Sequence, residues 1–529
     1  MKGVDLNDLS FDEIDELRDP RPETTDFDRV VEVAVTRRGS LAGLIAFGSG
    51  AAAMGTLMST TSAQAQGAAS RFAFRPIPIA TDFTVHAPEG YEWQILARWG
   101  DALFSDAPAF DPATGIPAQG SDRVFGENTD GMEPFNIRGH QVIAVKHEYV
   151  NPDINLPAAQ EGKPASADDL RLLQNLQGVT VMEIAEGPEG WAIVKDSPFN
   201  RRIHHDTPMQ ITGPAAGHDL LKTEADPTGT ASLGTFNNRG AGKTPWGTYL
   251  TCEENFNSYF GSTLPKEQAD AARPDHFKRY GIGAETVYDY QKFDARFDWS
   301  KTPNEPLRAG YVVEIDPADT TSTRRKRTAL GRFKHENAAC ALTNNSRRKP
   351  EGKNAGGDAM EPVAGSPNPR AENGDGQIVR WYPEAEDHAA PRFRWDLSVM
   401  AGNPVVHAGS DKAGSANINE GNLFNSPDGM MFDTTGLLWI QTDGEDTNDG
   451  GFAGHGNNQM LAGDPATGRI ERFLTGPNGA EVTGLTWSSD RRTMFAGIQH
   501  PGGNFPDGEG RLPRSSIVAV RRTDGALVG

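Results

Sequence analysis

From about Phe72 onward, the hydrophobic positions fall in short runs, each closed by Gly, Pro, Asn or Asp. The runs at 141–146, 179–184, 247–251, 311–315, 377–381, 437–442, 494–499 and 516–520 have the length and the β-branched or aromatic content of strands. Turn residues follow several of them, as in Glu314-Ile315-Asp316-Pro317 and Gly463-Asp464-Pro465. Residues 427–443 read as strand, Asp/Gly turn, strand, and 485–498 repeat that unit loosely. Such repetition predicts an all-β fold, a β-propeller whose blades bury their faces against each other and protect their edges. Helix is predicted only in patches such as 166–176, with Ser166 as the N-cap. Residues 347–376, crowded with Pro, Gly, Lys and Glu, predict a mobile surface loop.

Composition narrows the functional classes. With 529 residues the chain is too long for a mini-protein, and 59 Gly with 36 Pro suit many turns between short strands. A formal charge of −21 repels a phosphate backbone, so general nucleic-acid binding is excluded. A mean hydropathy of −0.55 excludes a polytopic membrane protein.

The N-terminal region predicts an export address. Arg37-Arg38 precede an uncharged Ala- and Gly-rich run over 41–58, and Ser62-Ala63-Gln64-Ala65 offer a small-residue cleavage pattern. Residues 1–65 are therefore read as a twin-arginine signal, and 66–529 as a single propeller domain. The expected location is periplasmic or secreted, with the twin-arginine translocation machinery as a partner and no stable membrane anchor. Twin-arginine export carries folded proteins, which suits a cofactor or metal site assembled beforehand.

No nucleophile elbow, phosphate loop or zincin helix is present, and no catalytic residue is singled out. Acids do recur beside turns and strand ends, in Cys252-Glu253-Glu254-Asn255, His335-Glu336-Asn337, Pro427-Asp428-Gly429 and Glu481-Val482-Thr483-Gly484. In a propeller such ends converge on one axis, where carboxylates repel one another unless cations sit among them. Hard oxygens suit Ca²⁺, and a thiolate beside them suggests iron. The acidic stretch 443–450 departs from an EF-hand loop because Asn448 stands at its sixth place, and it reads as a solvated loop.

These motifs resemble the PhoX-type alkaline phosphatases: TPWGTYLTCEEN (244–255), GRFKHENA (331–338), SPDGMMFDTTGLLWIQTDG (426–444), RFLTGPNGAEVTG (472–484) and TMFAGIQHPG (493–502), with RRIHHDTPMQITGPAAGHDLLKTEADPTG (201–229) in support. The resemblance implies an exported propeller with an axial iron–calcium site that hydrolyses small phosphomonoesters. It assigns metal ligation to Cys252, Glu253, Glu336, Asp428 and Glu481, and substrate phosphate to Asn237. A ligating Cys252 is then not bridged to Cys340. Two departures stand out. Arg239 replaces the cysteine usual after the Asn-Asn pair, and Lys334-His335-Glu336 run almost directly into Leu342-Thr343-Asn344-Asn345. The family's intervening segment, with an arginine and a glutamate that contact phosphate and metal, has no counterpart. One blade is therefore expected to be reduced or incomplete after Asn337, and activity weakened unless Arg239 or Arg332 reaches the site. The alternative is a non-catalytic calcium- or ligand-binding propeller descended from the same family; a calcium-dependent lactonase-like hydrolase is a third reading.

Overall fold

The computed structural model describes residues 71–342, 348–351, 369–370, 373–384, 390, 392–444 and 448–528. Residues Phe72–Gly529 form one compact unit. The twin-arginine region lies outside the described residues, as does most of 347–376; within the latter, Arg348–Glu351 form a strand paired with Ala339–Leu342. No helix of the described residues is long and apolar enough to cross a membrane.

Every apolar run named above is a strand: His140–His147, Gly178–Gly187, Tyr249–Glu253, Val312–Ile315, Gln377–Pro383, Leu438–Thr442, Thr493–Gln499 and Ser516–Arg522. Runs such as Glu481–Trp487 and Thr493–Gln499 are buried along their whole length, because their sheet is covered on both faces. The expected helical patch is helix Ala167–Asn175, where Ser166 Oγ accepts the Asp169 backbone N–H at 3.1 Å.

Four sheets follow one another through shared apolar clusters. Trp439, Phe473 and Trp487 join the sheet of Pro427–Phe432, Leu438–Thr442, Gln459–Asp464 and Arg469–Thr475 to the sheet that ends the chain. Phe495 and Ile517 of that last sheet pack with Met132, Ile143 and Met182 of the sheet beginning at Thr129–Ile137. Phe135 and Val142 of the latter meet Tyr249 and Val313 of a six-stranded sheet. Each large apolar side chain so buried contributes roughly 1.5–3 kcal/mol before the entropy of ordering is subtracted. The last sheet is completed by Tyr91–Arg98, which pairs antiparallel with Ser516–Arg522, so the first and last strands of the unit share one sheet. Among the described residues, the two sheets that follow Asn337 have two strands each, against four to six elsewhere.

The opening strands of the hairpins lie side by side. Thr129–Ile137 packs against Glu481–Trp487 on one flank and Asn238–Lys243 on the other; Glu481–Trp487 also meets Pro427–Phe432, and Asn238–Lys243 meets Ala339–Leu342. This arrangement brings the ends of separate sheets to one place.

Candidate active site

Four of these hairpins begin in the same way. Thr129 pairs with His147, Asn238 with Glu253, Pro427 with Thr442 and Glu481 with Gln499. One residue further along the opening strands stand Asp130, Arg239 and Asp428, while one residue beyond the second strands stand Glu148, Glu254, Asp443 and His500. Each opening strand then carries a bulge that holds a glycine: Asp130-Gly131, Arg239-Gly240, Asp428-Gly429 and Thr483-Gly484. A bulge bends its strand and re-aims the neighbouring side chain. Two of the glycines are dictated by proximity as well. A Cβ on Gly240 (φ 29°) would lie 2.2 Å from the Glu336 carbonyl oxygen, and one on Gly484 (φ 44°) would lie 2.4 Å from that of Asp130. Only glycine lets adjacent hairpins come this close.

The pocket so formed is lined by Asp130, Glu133, Arg239, Glu336, Asp428 and Gln441, with the bulge glycines between them. Arg239 sits among carboxylates from several segments. Its Nε lies 3.1 Å from Glu148 Oε1 and 3.5 Å from Glu254 Oε2, Nη1 lies 3.4 Å from Glu336 Oε1, and Nη2 lies 3.4 Å from Asp443 Oδ2. Glu148, with Glu481, Asp428 and Glu254 behind it, holds the guanidinium well above its ordinary pKa. The acids shift upward too, which for a carboxylate favours the neutral form. Burial and the neighbouring Asp428 push Glu336 up to about 9, burial and Asp428 push Asp443 up to about 6, and burial with Asp443 and Asp428 raises Glu481 well above the usual range. Asp130 behaves differently: burial alone would raise it, but Lys146 at 2.6 Å and Arg239 hold it low.

Asp443, Glu481 and His500 bring one donor atom each within 4.8 Å of one another. His500 Nδ1 donates to the Gly479 carbonyl at 2.8 Å, which leaves the Nε2 lone pair facing Glu481 Oε2 at 3.9 Å. Anchoring of one ring nitrogen by a backbone carbonyl is how ligating imidazoles are usually oriented. The two carboxylates fit a hard cation such as Ca²⁺, whereas the imidazole beside them is a ligand better suited to a transition metal. The soft donor that iron was expected to use does not reach them.

Of the residues expected from the sequence, Glu336, Asp428 and Glu481 come together here. Cys252 and Glu253 do not. Cys252 is fully buried beside Leu250, Val312 and Ala338, and burial pushes its thiol up to about 12. Glu253 points to Lys326 at 2.8 Å and accepts the backbone N–H groups of Gly310 and Tyr311, all away from the pocket. The reason is register: the position that reaches Arg239 is the one after the strand, Glu254. Asn237 lies at the edge, where its Oδ1 accepts the Asn255 N–H at 2.8 Å and its carbonyl accepts the Glu254 N–H at 3.1 Å. It thereby orients Glu254. Arg332 is elsewhere, donating to the Ala309 and Pro306 carbonyls and stacked over Phe256 and Tyr280. No disulfide joins Cys252 to Cys340. Asp443, read from the sequence as the start of a solvated loop, is instead part of the cluster, and Glu148 and His500 were not singled out. The available signal was their common offset from a strand end.

The sequence profile of alkaline phosphatase PhoX matches residues 72–350 and 340–502. Among solved structures, Pseudomonas fluorescens PhoX in complex with vanadate, a transition state analogue, is similar at 39% identity and a TM-score of 0.81, covering 86% of this chain and 99% of that one. A putative gluconolactonase (11% identity, TM-score 0.27) and the gluconolactonase of Xanthomonas campestris (9%, 0.26) superpose poorly, each over 85% of this chain and 98% of its own. No curated protein matches. With most of its length matched by the profile and by a solved PhoX, this chain belongs to the PhoX alkaline phosphatase family, a family of phosphatase-type hydrolases.

Proposed function

We propose that the pocket hydrolyses phosphomonoesters and releases phosphate, with the hairpins acting as propeller blades whose ends form an axial site. The observation that carries this reading is the convergence of four hairpins, at one shared offset, on a pocket in a chain of this family. A phosphomonoester brings close to two negative charges, and carboxylates alone would repel it; positive charge must be present for it to bind. Arg239 supplies one fixed charge with planar N–H donors that suit phosphoryl oxygens. Asp443 and Glu481 would hold calcium, with His500 beside them. A bound cation there would polarise a phosphoryl oxygen and offset charge developing in the transition state. Gln499 donates to Glu148 at 3.1 Å and so keeps that acid turned toward Arg239.

The chain is proposed to be exported by the twin-arginine route and to turn over more slowly than Pseudomonas fluorescens PhoX. The motif spacing after Asn337 supports the slower turnover. Losing one preorganised donor typically costs roughly 10²–10³ in rate. The test is a chromogenic phosphomonoester assay with and without added calcium. Asp428→Asn and Glu481→Gln should each lose at least about 10²-fold in kcat with unchanged circular dichroism. Absence of turnover on every phosphomonoester in calcium, or wild-type rates in both variants, overturns the reading. The non-catalytic alternative is favoured by one observation, the guanidinium already engaged by carboxylates; calcium binding without turnover would select it.

A further inference from the structure

In two hairpins the position just before the bulge glycine is an aspartate, Asp130 and Asp428; in the hairpin beside that of Asp130 it is Arg239. A guanidinium therefore stands where its sister strands place carboxylates. Six acids surround it: Glu148, Glu254, Glu336 and Asp443 within 3.1–3.5 Å, and Asp428 and Glu481 by longer-range attraction. Such a ring needs positive charge at its centre, and either a metal ion or a side chain can supply it. Both cannot occupy the space that Arg239 fills. Arginine remains charged at all accessible pH, so this neutralisation depends neither on acidity nor on metal supply. The soft half of an iron site is also missing here, since Cys252 lies buried among apolar side chains and Cys340 packs beside the same cluster.

We propose that Arg239 is a tethered counter-ion that takes, inside the carboxylate ring, the place a transition-metal ion would occupy, so that this chain carries no iron there and takes calcium on the neighbouring carboxylates of Asp443 and Glu481. The inference rests on the proposed site being the reaction centre only for its bearing on catalysis. Its own readouts are metal content and thermal unfolding, so its failure is distinguishable from failure of the phosphatase reading.

The experiment uses the purified full chain, with iron and calcium measured by elemental analysis and melting followed in chelator and in calcium. The unaltered protein should be iron-free, and chelation should lower its melting temperature only by what its own calcium contributes. Arg239→Gln should melt markedly lower in chelator, bind one more calcium ion per chain than the unaltered protein, and regain stability when it does. Arg239→Lys, which keeps the charge but loses the fork, should bind no additional calcium. If Arg239→Gln does not fold in chelator it is purified in calcium and its stoichiometry is read there. Stoichiometric iron in the unaltered protein overturns the proposal. So does an Arg239→Gln protein that folds and binds no more calcium than the unaltered chain.

Discussion

Cys252 and Glu253 are neighbours on one strand yet serve different surroundings. The thiol packs among Leu250, Val312 and Ala338, whereas the carboxylate meets Lys326. Cys252→Ala should therefore leave calcium affinity unchanged and cost about 1 kcal/mol in lost packing, read by calcium titration and urea unfolding. Glu127 offers a pH test outside the ring. It is buried, accepts N–H groups from Asn151 and Asn155, and burial pushes its pKa up to about 7 against those donors. An acid whose folded pKa is raised holds its proton longer than in the unfolded chain. Its stabilising contribution is therefore complete below the unfolded value near 4.5 and is lost as pH rises toward 7, by about 3 kcal/mol. His147, whose pKa burial drives down, works in the opposite direction, so the measurement is the difference between the wild type and Glu127→Gln. That difference should shift between pH 4.5 and 7 in favour of the variant, which has no proton to lose.

Glu253 also shows how a strand is held from behind. Its two oxygens engage Lys326 from the 324–327 strand and the Gly310 and Tyr311 N–H groups before the 312–315 strand, and neither Glu253 nor Lys326 is exposed. Removing one partner leaves a buried charge, so Glu253→Gln and Lys326→Met should each cost about 3–5 kcal/mol. In a double-mutant cycle by urea unfolding, the pair should cost less than the sum. Strands of this kind were legible because apolar runs ended by Gly, Pro, Asn or Asp have little alternative. The helix after Ser166 was legible from its cap. Asp443 was not, because an acid following a strand has the same local signature whether it meets water or Arg239.

The pairing of Tyr91–Arg98 with Ser516–Arg522 ties the start of the compact unit to its end. Removing residues 1–70 should leave the melting temperature unchanged. Removing residues through Arg98, which also takes away buried Phe72, Val85 and Leu96, should abolish cooperative unfolding and expose the remainder to limited proteolysis.

The sequence alone determined the strand content, the turns, the family resemblance and three of the acids that gather around Arg239, because hydrophobic periodicity and short motifs are local properties of the chain. Tertiary structure decided that Glu254 rather than Glu253 meets Arg239, that Cys252 turns into an apolar cluster, and that Arg239 stands among the carboxylates. Those outcomes follow from register: a shift of one residue along a strand moves a side chain to the opposite face, and bulges at Gly131, Gly240, Gly429 and Gly484 set that register. Convergence of strand ends from separate sheets arises only once those sheets are packed together.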